Sequence, residues 1–266
     1  ELIHQKREIE SKNRDLTDSI NYAQKIQSAF LPEKSYIKAL LPNSYIFYKP
    51  KDIVSGDFYW SRKQGNKIYL ACVDCTGHGI PGAFMSLIGF SMLNEIVKSD
   101  EDSKNPAEIL NELEFKVNQA LSSKQYHTQS KDGMDIALCC FDLQNNKLTY
   151  AGAFRPLIVV KEREIQEIKG DRFPIGGGNS YDKKPFNCHE ITINKGDSFF
   201  MYSDGFPDQF GGPKSKKYMN KKFKQFLLSQ VALSSEKQLE NLDTELKNWQ
   251  GENEQVDDIL VMGIFF

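Results

Sequence analysis

The sequence predicts an α/β fold in which an antiparallel β-sandwich is flanked by helices and preceded by an N-terminal linker helix. Short runs rich in β-branched and aromatic residues follow one another through turns of hairpin length, which predicts the sandwich. Blocks of helical periodicity separate some of these runs and predict the flanking helices. Residues 1–30 contain neither Gly nor Pro and predict the linker. At 266 residues the chain can bury a large core without disulfides or structural metals.

The first segment, residues 1–30, has the pattern of one coiled-coil seam. Its apolar residues recur every seven positions among charged and amide side chains: Leu2, Ile9, Leu16, Ala23 and Phe30. The second seam would consist of Gln5, Lys12, Ser19 and Ile26, of which only the last is apolar. We therefore expect either a linker that dimerises or relays a signal, or an amphipathic helix packed on its own domain. Pro32 ends the segment, so residues 31–266 form the second predicted domain.

The strands and helices of the second domain follow from local patterns. The predicted strands are 45–48, 58–62, 67–73, 136–142, 147–151, 157–161, 191–193, 198–202 and 259–265. Turn residues such as Gln64-Gly65-Asn66 connect successive strands, which favours antiparallel pairing. The predicted helices are 81–98, 106–122, 217–230 and 235–249. These helices should cover the outer faces of the sheets.

The charge balance weighs against polyanionic partners. The chain has 34 Lys and Arg residues against 36 Asp and Glu residues, a net charge of −2. A chain of this charge has no overall attraction to nucleic acid or to an anionic membrane, so we expect neither as a partner. The most apolar stretch, residues 79–97, is interrupted by polar residues and predicts a core helix rather than a membrane span.

The cysteines and the first residue bear on location. Cys72, Cys139 and Cys140 lie in apolar runs, which is typical of reduced thiols in a cytoplasmic protein. The chain begins at Glu1 without a secretory leader, which indicates a segment of a longer protein. We expect a cytoplasmic domain, and attachment of the parent protein to a membrane stays open.

Acidic residues lie at the ends of several predicted strands. Asp57 precedes one strand, and Asp257-Asp258 precedes the last one. Asp74 and Asp204 each follow an apolar strand and lie next to turn residues that include glycine. Each such acid is by itself typical of a turn, but a sandwich would gather all of them at one edge.

Carboxylates gathered in a site with little water repel one another and lose solvation. Divalent cations remove this problem, and oxygen ligands favour Mg²⁺ or Mn²⁺ over Zn²⁺. Two such ions about 3.5 to 4 Å apart can share a water, lower its pKa and hold it for attack on phosphorus. The acids therefore predict hydrolysis of a phosphoester.

The motifs around these acids resemble those of a known family. In chain order they are Gly56-Asp57-Phe58-Tyr59, Val73-Asp74-Cys75-Thr76-Gly77-His78-Gly79, Tyr202-Ser203-Asp204-Gly205 and Val256-Asp257-Asp258-Ile259. Residues 31–266 thereby resemble the metal-dependent (PPM) serine/threonine protein phosphatases, in their SpoIIE-like bacterial branch. The resemblance implies an antiparallel sandwich with helices, two Mn²⁺ or Mg²⁺ ions, and hydrolysis of phosphoserine or phosphothreonine on a protein.

The resemblance also implies metal ligands. Asp57 and Asp74 with the backbone carbonyl of Cys75 would hold one ion, and Asp74, Asp204 and Asp257 the other. Asp257 is preferred over its neighbour because the family places the metal acid first in the pair. Some relatives hold a weaker third ion before a central strand, where the segment Lys131-Asp132-Gly133-Met134-Asp135 lies. Asp132 is the preferred candidate there, with a plain turn as the alternative.

Two further residues are candidates for contact with substrate. His78 is implied as a general acid for the leaving group, or else it only hydrogen-bonds its turn. Arg155 either contacts phosphate or forms a surface salt bridge. Cys72 and Cys75 have the spacing of a zinc pair, but alternate residues of a strand face opposite sides, and no second pair has ligand spacing.

Two hypotheses on function result. The first is a Mn²⁺/Mg²⁺-dependent serine/threonine phosphatase domain of a bacterial signalling protein, dimeric through its N-terminal helix. For this hypothesis the resemblance implies a phosphorylated regulatory protein as substrate, such as an anti-sigma-factor antagonist. The second is a phosphatase-fold interaction module with weak catalysis that binds a regulatory partner.

Overall fold

The structure, a computed structural model, describes residues 2–98, 103–121, 132–177 and 184–266. The helices are α1 (Leu2–Phe30), α2 (Lys34–Leu40), α3 (Gly79–Ile96), α4 (Pro106–Leu121), α5 (Gly205–Asp208), α6 (Asn220–Gln230) and α7 (Ser235–Gln250). The strands are β1 (Ser44–Lys49), β2 (Phe58–Gln64), β3 (Lys67–Cys75), β4 (Gly133–Asp142), β5 (Lys147–Ala153), β6 (Leu157–Lys161), β7 (Glu164–Ile168), β8 (Ile175–Gly176), β9 (His189–Thr192), β10 (Ser198–Tyr202), β11 (Phe210–Gly211), β12 (Lys216–Lys217) and β13 (Ile259–Phe265).

The strands form two main sheets. One has the order β1-β13-β10-β6-β7, and the other has the order β2-β3-β4-β5-β9, with β8 also paired to β4. Strands β11 and β12 form a separate hairpin. All pairings between these strands are antiparallel. The predicted fold class, an antiparallel sandwich with flanking helices, is confirmed.

Strand β3 shows how the layers are built. Leu70 and Cys72 belong to the core between the two sheets, together with Phe199 of β10. The alternate residues Tyr69 and Ala71 face the opposite side, where helices α3 and α4 cover the sheet. Because both faces of β3 are buried, its sequence is a nearly continuous apolar run. The same alternation places Cys72 and Cys75 in different cores, which is against a shared zinc ion.

Helices α6 and α7 cover the other sheet. Phe200 and Tyr202 of β10 pack against Phe223 of α6 and Leu246 of α7. The Tyr202 and Phe223 rings meet edge to face with centroids 4.9 Å apart. The molecule therefore has four layers, with a helical layer on each outer face of the sandwich.

Helix α1 is exposed along most of its length. Leu2 and Leu16 are 82% and 56% exposed. Gln27 is the one buried residue among the described residues of this helix. Near the end of the helix, the Phe30 ring lies edge to face on Phe90 of α3, with centroids 6.0 Å apart. The predicted helix is present and ends before Pro32, while its role as a linker stays a prediction.

Some elements were not predicted from the sequence. Helix α2 and strand β7 are the longest of them. Strand β7 is an edge strand with exposed charged residues, so it lacks an apolar run. Helix α3 begins two residues before the predicted start at Pro81. No helix in the described ranges is long and apolar enough to cross a membrane.

Candidate active site

Strand pairing brings the first acids together. Phe58 of β2 lies opposite Val73 of β3, so Asp57 and Asp74 flank this pair at one end of the sheet. Asp74 lies directly opposite Asp135 of β4. Like charges opposite each other on neighbouring strands destabilise a sheet, so this arrangement needs a compensating cation.

The second sheet contributes the remaining acids. Tyr202 of β10 is paired with Val261 of β13. Asp204 follows β10 and Asp257 precedes β13, so both lie at the same end of this antiparallel pair. Gly205 allows the close approach of the two segments, because a Cβ atom there would lie 2.0 Å from the Asp258 carbonyl oxygen.

The acids line a cleft of about 260 Å³ between the two sheets. Its ionisable lining residues include Asp74, Asp135, Asp204, Asp257, Arg155 and His78. Asp57 is only 3% exposed. Asp132 is exposed and does not line the cleft, and Lys131 lies outside the described residues. Three of the four acids of the implied metal ligand set thus line the cleft together with Asp135, and the fourth, Asp57, is buried near Asp74.

Arg155, in the connection between β5 and β6, reaches into this cluster of acids. Its Nη2 atom lies 2.8 Å from Asp74 Oδ2, 2.8 Å from Asp204 Oδ2 and 3.3 Å from Asp135 Oδ2. Its side chain is only 15% exposed. The guanidinium therefore supplies positive charge between acids of both sheets, and the contact is not a surface salt bridge.

Burial changes the protonation of the acids. It raises the pKa of Asp57 well above its usual value, and the nearby charge of Asp74 raises it further. Burial also raises the pKa of Asp74 more than any other cause does. The positive charge of Arg155 lowers this pKa, the negative charge of Asp204 raises it, and the resulting value is about 7. Burial likewise raises the pKa of Asp135 and of Asp257. These acids are costly to ionise together without a cation.

Asp257 and Asp258 have different environments. Asp258 is 1% exposed. Its Oδ1 accepts a hydrogen bond from the Lys51 amide, and its Oδ2 accepts one from the Gly56 amide, both at 2.8 Å. Asp257 lines the cleft, where its Oδ1 accepts a hydrogen bond only from the Asp258 amide among those described. The two oxygens of Asp258 are thus engaged in holding the loop before Asp57, which favours Asp257 as a ligand.

His78 lies at the rim of the cleft and contacts two charged side chains. Its Nδ1 is 2.7 Å from Asp52 Oδ2, and its Nε2 is 3.1 Å from Lys51 Nζ. An Nδ1–H that donates to Asp52 leaves Nε2 as the acceptor for the Lys51 ammonium. His78 is about half exposed and lines the cleft, so its ring is accessible from solvent.

Three glycines hold the loop of Asp57 against the turn after β3. A Cβ atom on Gly56 would lie 2.4 Å from the Gly77 carbonyl oxygen and 3.3 Å from that of Cys75. A Cβ atom on Gly82 would lie 2.3 Å from the same Gly77 oxygen. The backbones therefore touch directly, and the Cys75 carbonyl lies beside the segment that carries Asp57.

The donor set fits Mn²⁺ or Mg²⁺. Asp57 Oδ2 is buried and has no hydrogen-bond partner among the described residues, as expected for an atom that receives a cation. The candidate ligands are all oxygen atoms, which suits these ions. Within the described ranges no three His, Cys, Asp or Glu side chains lie close enough together to hold a metal ion as they stand. Arg155 Nη2 contacts carboxylate oxygens of both Asp74 and Asp204.

Several of these residues were not recognised from the sequence. Asp135 lines the cleft where Asp132 was predicted, because its pairing with Asp74 across β3 and β4 places both side chains on the same side of the sheet. Asp52 and Lys51 lie in a loop without a pattern. Gln27 is a polar residue in a polar helix, so nothing in the sequence marks it as buried.

Comparisons with known proteins agree with this architecture. The chain is 25% identical over 196 residues to the phosphoserine phosphatase RsbU of Bacillus subtilis (strain 168), a match that covers 72% of this chain and 54% of that protein. The chain therefore spans about half the length of this curated relative.

Two solved structures are similar in fold. The SiaA-PP2C domain of Pseudomonas aeruginosa has a TM-score of 0.85 and 31% identity, over 96% of this chain and 98% of that one. The PP2C phosphatase domain of SpoIIE from Bacillus subtilis, solved with a fragment of its regulatory domain, has a TM-score of 0.65 and 20% identity. This second match covers 84% of this chain and 62% of that one and bears on the fold alone. The family model for stage II sporulation protein E (SpoIIE) matches residues 64–265, and the chain thus belongs to the SpoIIE family, as its motifs indicated.

Proposed function

We propose that this chain is a Mn²⁺- or Mg²⁺-dependent serine/threonine protein phosphatase domain of a bacterial signalling protein. The observation that carries the proposal is a cleft lined by acids of both sheets. Beside Asp74 of this cleft, Asp57 Oδ2 is buried without a hydrogen-bond partner among the described residues. Such a set of oxygen ligands is built for divalent cations rather than for a covalent intermediate on Ser or Cys.

Two ions would be held by the acids implied by the family motifs. Asp57, Asp74 and the Cys75 carbonyl would hold one, and Asp74, Asp204 and Asp257 the other. Such ions supply an activated water for attack on phosphorus. A weaker third ion would be held by Asp132, or by Asp135, which lines the cleft.

The protein's own groups bind the substrate and move the proton. We assign the transfer of a proton to the leaving oxygen to the imidazolium form of His78, in which Nδ1–H donates to Asp52 and Nε2–H faces the substrate in place of Lys51. We assign phosphate contact to Arg155, whose planar guanidinium can form two parallel hydrogen bonds to a phosphate group. Both side chains line the cleft in which the phosphoryl group would lie.

The proposed substrate is a phosphorylated regulatory protein. RsbU, which the chain resembles, is named a phosphoserine phosphatase. An anti-sigma-factor antagonist that carries phosphoserine is the candidate this resemblance favours. The cleft opens to solvent, which suits a phosphorylated side chain presented by a folded partner.

The test is turnover of a phosphoserine peptide and of an aryl phosphate with Mn²⁺ and with chelator. We expect metal-dependent turnover that Asp74→Asn and Asp204→Asn each reduce by at least about a hundredfold, because each removes a ligand charge. Asp18→Asn, an exposed change on α1, is the matched control. Absence of both turnover and Mn²⁺ binding in calorimetry would refute the proposal and favour the interaction module.

We further propose that the chain forms a homodimer through α1. Four of the five seam residues, Leu2, Ile9, Leu16 and Phe30, are exposed on this helix, and Ala23 is half-buried. Sedimentation of the wild type against the double variant Ile9→Lys/Leu16→Lys tests the proposal. A wild type that is monomeric at high concentration would refute it. The cytoplasmic location stays a prediction.

A further inference from the structure

Arg155 is the cation closest to the centre of the acid cluster among the described residues. Its Nη2 atom lies within 3.3 Å of carboxylate oxygens of Asp74, Asp135 and Asp204, and its side chain is 15% exposed. The side chain thus joins two strands of one sheet to the end of the other sheet. Its charge lies where the metal ligands of the proposed function converge.

The cluster needs such a charge whenever no metal is bound. Asp74 and Asp135 are direct cross-strand neighbours, and Asp204 faces them across the cleft. Removing the partner from a buried ion pair leaves an uncompensated charge, which is strongly destabilising. One guanidinium in contact with all of these acids satisfies this requirement.

The backbone holds Arg155 in place. Tyr150 Oη donates a hydrogen bond to the Arg155 carbonyl oxygen at 2.5 Å, and the Arg155 amide donates one to the Ala153 carbonyl oxygen at 2.6 Å. Phe154 adopts a φ of 57°, in the left-handed region that costs energy for a bulky residue. A Cβ atom on Gly152 would lie 2.1 Å from Tyr150 Oη. The turn is therefore built to direct this one side chain inward.

The guanidinium is not fully satisfied where it lies. Its Nε atom is buried and has no hydrogen-bond partner among the described residues. Asp135, the most distant of its carboxylate partners, is not among the acids assigned to the two ions. Arg155 therefore has a partner left when a metal takes the others.

We propose that Arg155 is an internal counter-cation that a divalent metal must displace from Asp74 and Asp204. Without metal it neutralises the acids and holds the two sheets together. With the two main ions bound and the weaker third site empty, it keeps its contact with Asp135 and is free to meet a phosphate group. The inference rests on the proposed function, and it predicts that Arg155 lowers metal affinity while it stabilises the metal-free protein.

The experiment compares the wild type with Arg155→Gln and Arg155→Lys. Arg14→Gln, exposed on α1, is the control for loss of one positive charge. Melting temperature is measured in chelator, and Mn²⁺ binding is measured by calorimetry on the metal-free proteins. Neither readout depends on turnover.

For Arg155→Gln we expect a melting temperature in chelator lower by roughly 5 to 10 °C, because the acids lose their partner. We expect Mn²⁺ to bind about tenfold more tightly, because no guanidinium has to be displaced. Arg155→Lys keeps the charge but not the planar guanidinium. Its melting temperature in chelator and its Mn²⁺ affinity should lie between those of the wild type and of Arg155→Gln. The control should match the wild type in both measurements.

Two results would overturn the inference, and they differ in what else they affect. If both Arg155 variants bind Mn²⁺ no more tightly than the wild type, the counter-cation role fails while the proposed function stands. If the wild type binds no Mn²⁺ at all, the proposed function fails as well. Should Arg155→Gln not fold in chelator, its refolding on addition of Mn²⁺ supports the inference, and Arg155→Lys supplies the affinity comparison.

Discussion

Gln27 of helix α1 hydrogen-bonds both backbone groups of Ser55. Its Oε1 accepts from the Ser55 amide at 3.0 Å, and its Nε2 donates to the Ser55 carbonyl at 2.6 Å. The same Nε2 donates to Ser86 Oγ on α3 at 2.9 Å. Ser55 lies two residues before Asp57 in the chain. One amide side chain thus connects the N-terminal helix to the loop that carries a proposed metal ligand.

Replacing Gln27 should loosen this loop. For Gln27→Ala we expect a loss of about 1 to 3 kcal/mol in the free energy of unfolding, because the amide and carbonyl of Ser55 are left buried without partners. Mn²⁺ affinity should fall as well, since Asp57 would be held less firmly. Chemical denaturation and calorimetry measure the two effects. Gln24→Ala, exposed on the same helix, is the control, and equal behaviour of both variants would contradict the prediction.

The metal-free protein should lose stability as pH rises. The pKa of Asp74 is raised to about 7, so the folded state keeps this proton to a higher pH than the unfolded state does. The free energy of unfolding in chelator should therefore fall between about pH 4 and pH 7, by at most about 1.4 kcal/mol per pH unit for this group. Burial raises the pKa of Asp57 in the same direction. Urea denaturation at several pH values tests this, and Asp74→Asn should flatten the dependence.

The adjacent acids at the start of β13 should respond differently to substitution. Asp257→Asn should abolish Mn²⁺-dependent turnover with little loss of stability, because Asp257 accepts one hydrogen bond from a neighbouring amide. Asp258→Asn should cost about 1 to 3 kcal/mol in stability, because Asp258 accepts hydrogen bonds from the Lys51 and Gly56 amides. Thermal denaturation in chelator, read beside turnover, separates the two. The opposite pattern would assign the ligand role to Asp258.

The role of His78 should depend on the leaving group. An aryl phosphate releases a stable phenolate, whereas phosphoserine releases an alkoxide that needs a proton. We expect His78→Gln to lower kcat on a phosphoserine peptide by about a hundredfold and on the aryl phosphate much less. Asp52→Asn should lower kcat on the phosphoserine peptide by a smaller factor, because Asp52 only orients the His78 ring. Equal losses on both substrates would leave His78 a structural role.

The weaker third ion can be assigned by comparing two acids near the start of β4. Asp135 lines the cleft, while Asp132 is exposed. We expect Asp135→Asn to reduce turnover at limiting Mn²⁺ by about tenfold and Asp132→Asn to have the smaller effect. Turnover titrated with Mn²⁺ measures both. A larger loss of turnover for Asp132→Asn would instead identify Asp132 as the ligand of the third ion.

Strands and acids were predictable because they depend on local pattern. The apolar run predicted as the strand 67–73 is part of β3, which in the structure continues through Asp74 to Cys75 before the glycine turn. The sequence also predicts where β10 ends and where β13 begins, and therefore that Asp204 and Asp257 lie next to these strand ends. Because several acids lie at strand ends, a sandwich fold is enough to predict that they come close together at one edge.

The partners of these acids were not predictable, because they depend on register and on loops. The contacts of Arg155 require that Asp74 and Asp135 lie opposite each other, which only the pairing of β3 and β4 determines. Gln27 is buried through a contact 28 residues away in the chain. Such long-range polar contacts have no periodic signal in a single sequence.

The contact between Gly56, Gly77 and Gly82 limits how far this site can change during evolution. Added Cβ atoms would come within 2.3 to 2.4 Å of a carbonyl oxygen, about 1 Å closer than ordinary contact allows. Metal–ligand distances tolerate only about 0.2 Å. Even alanine, a single extra methyl group, would therefore push the segment of Asp57 and the turn after β3 apart by more than the proposed coordination permits. Variation in substrate or signal among descendants of this chain would then have to arise at the rim of the cleft and on α1.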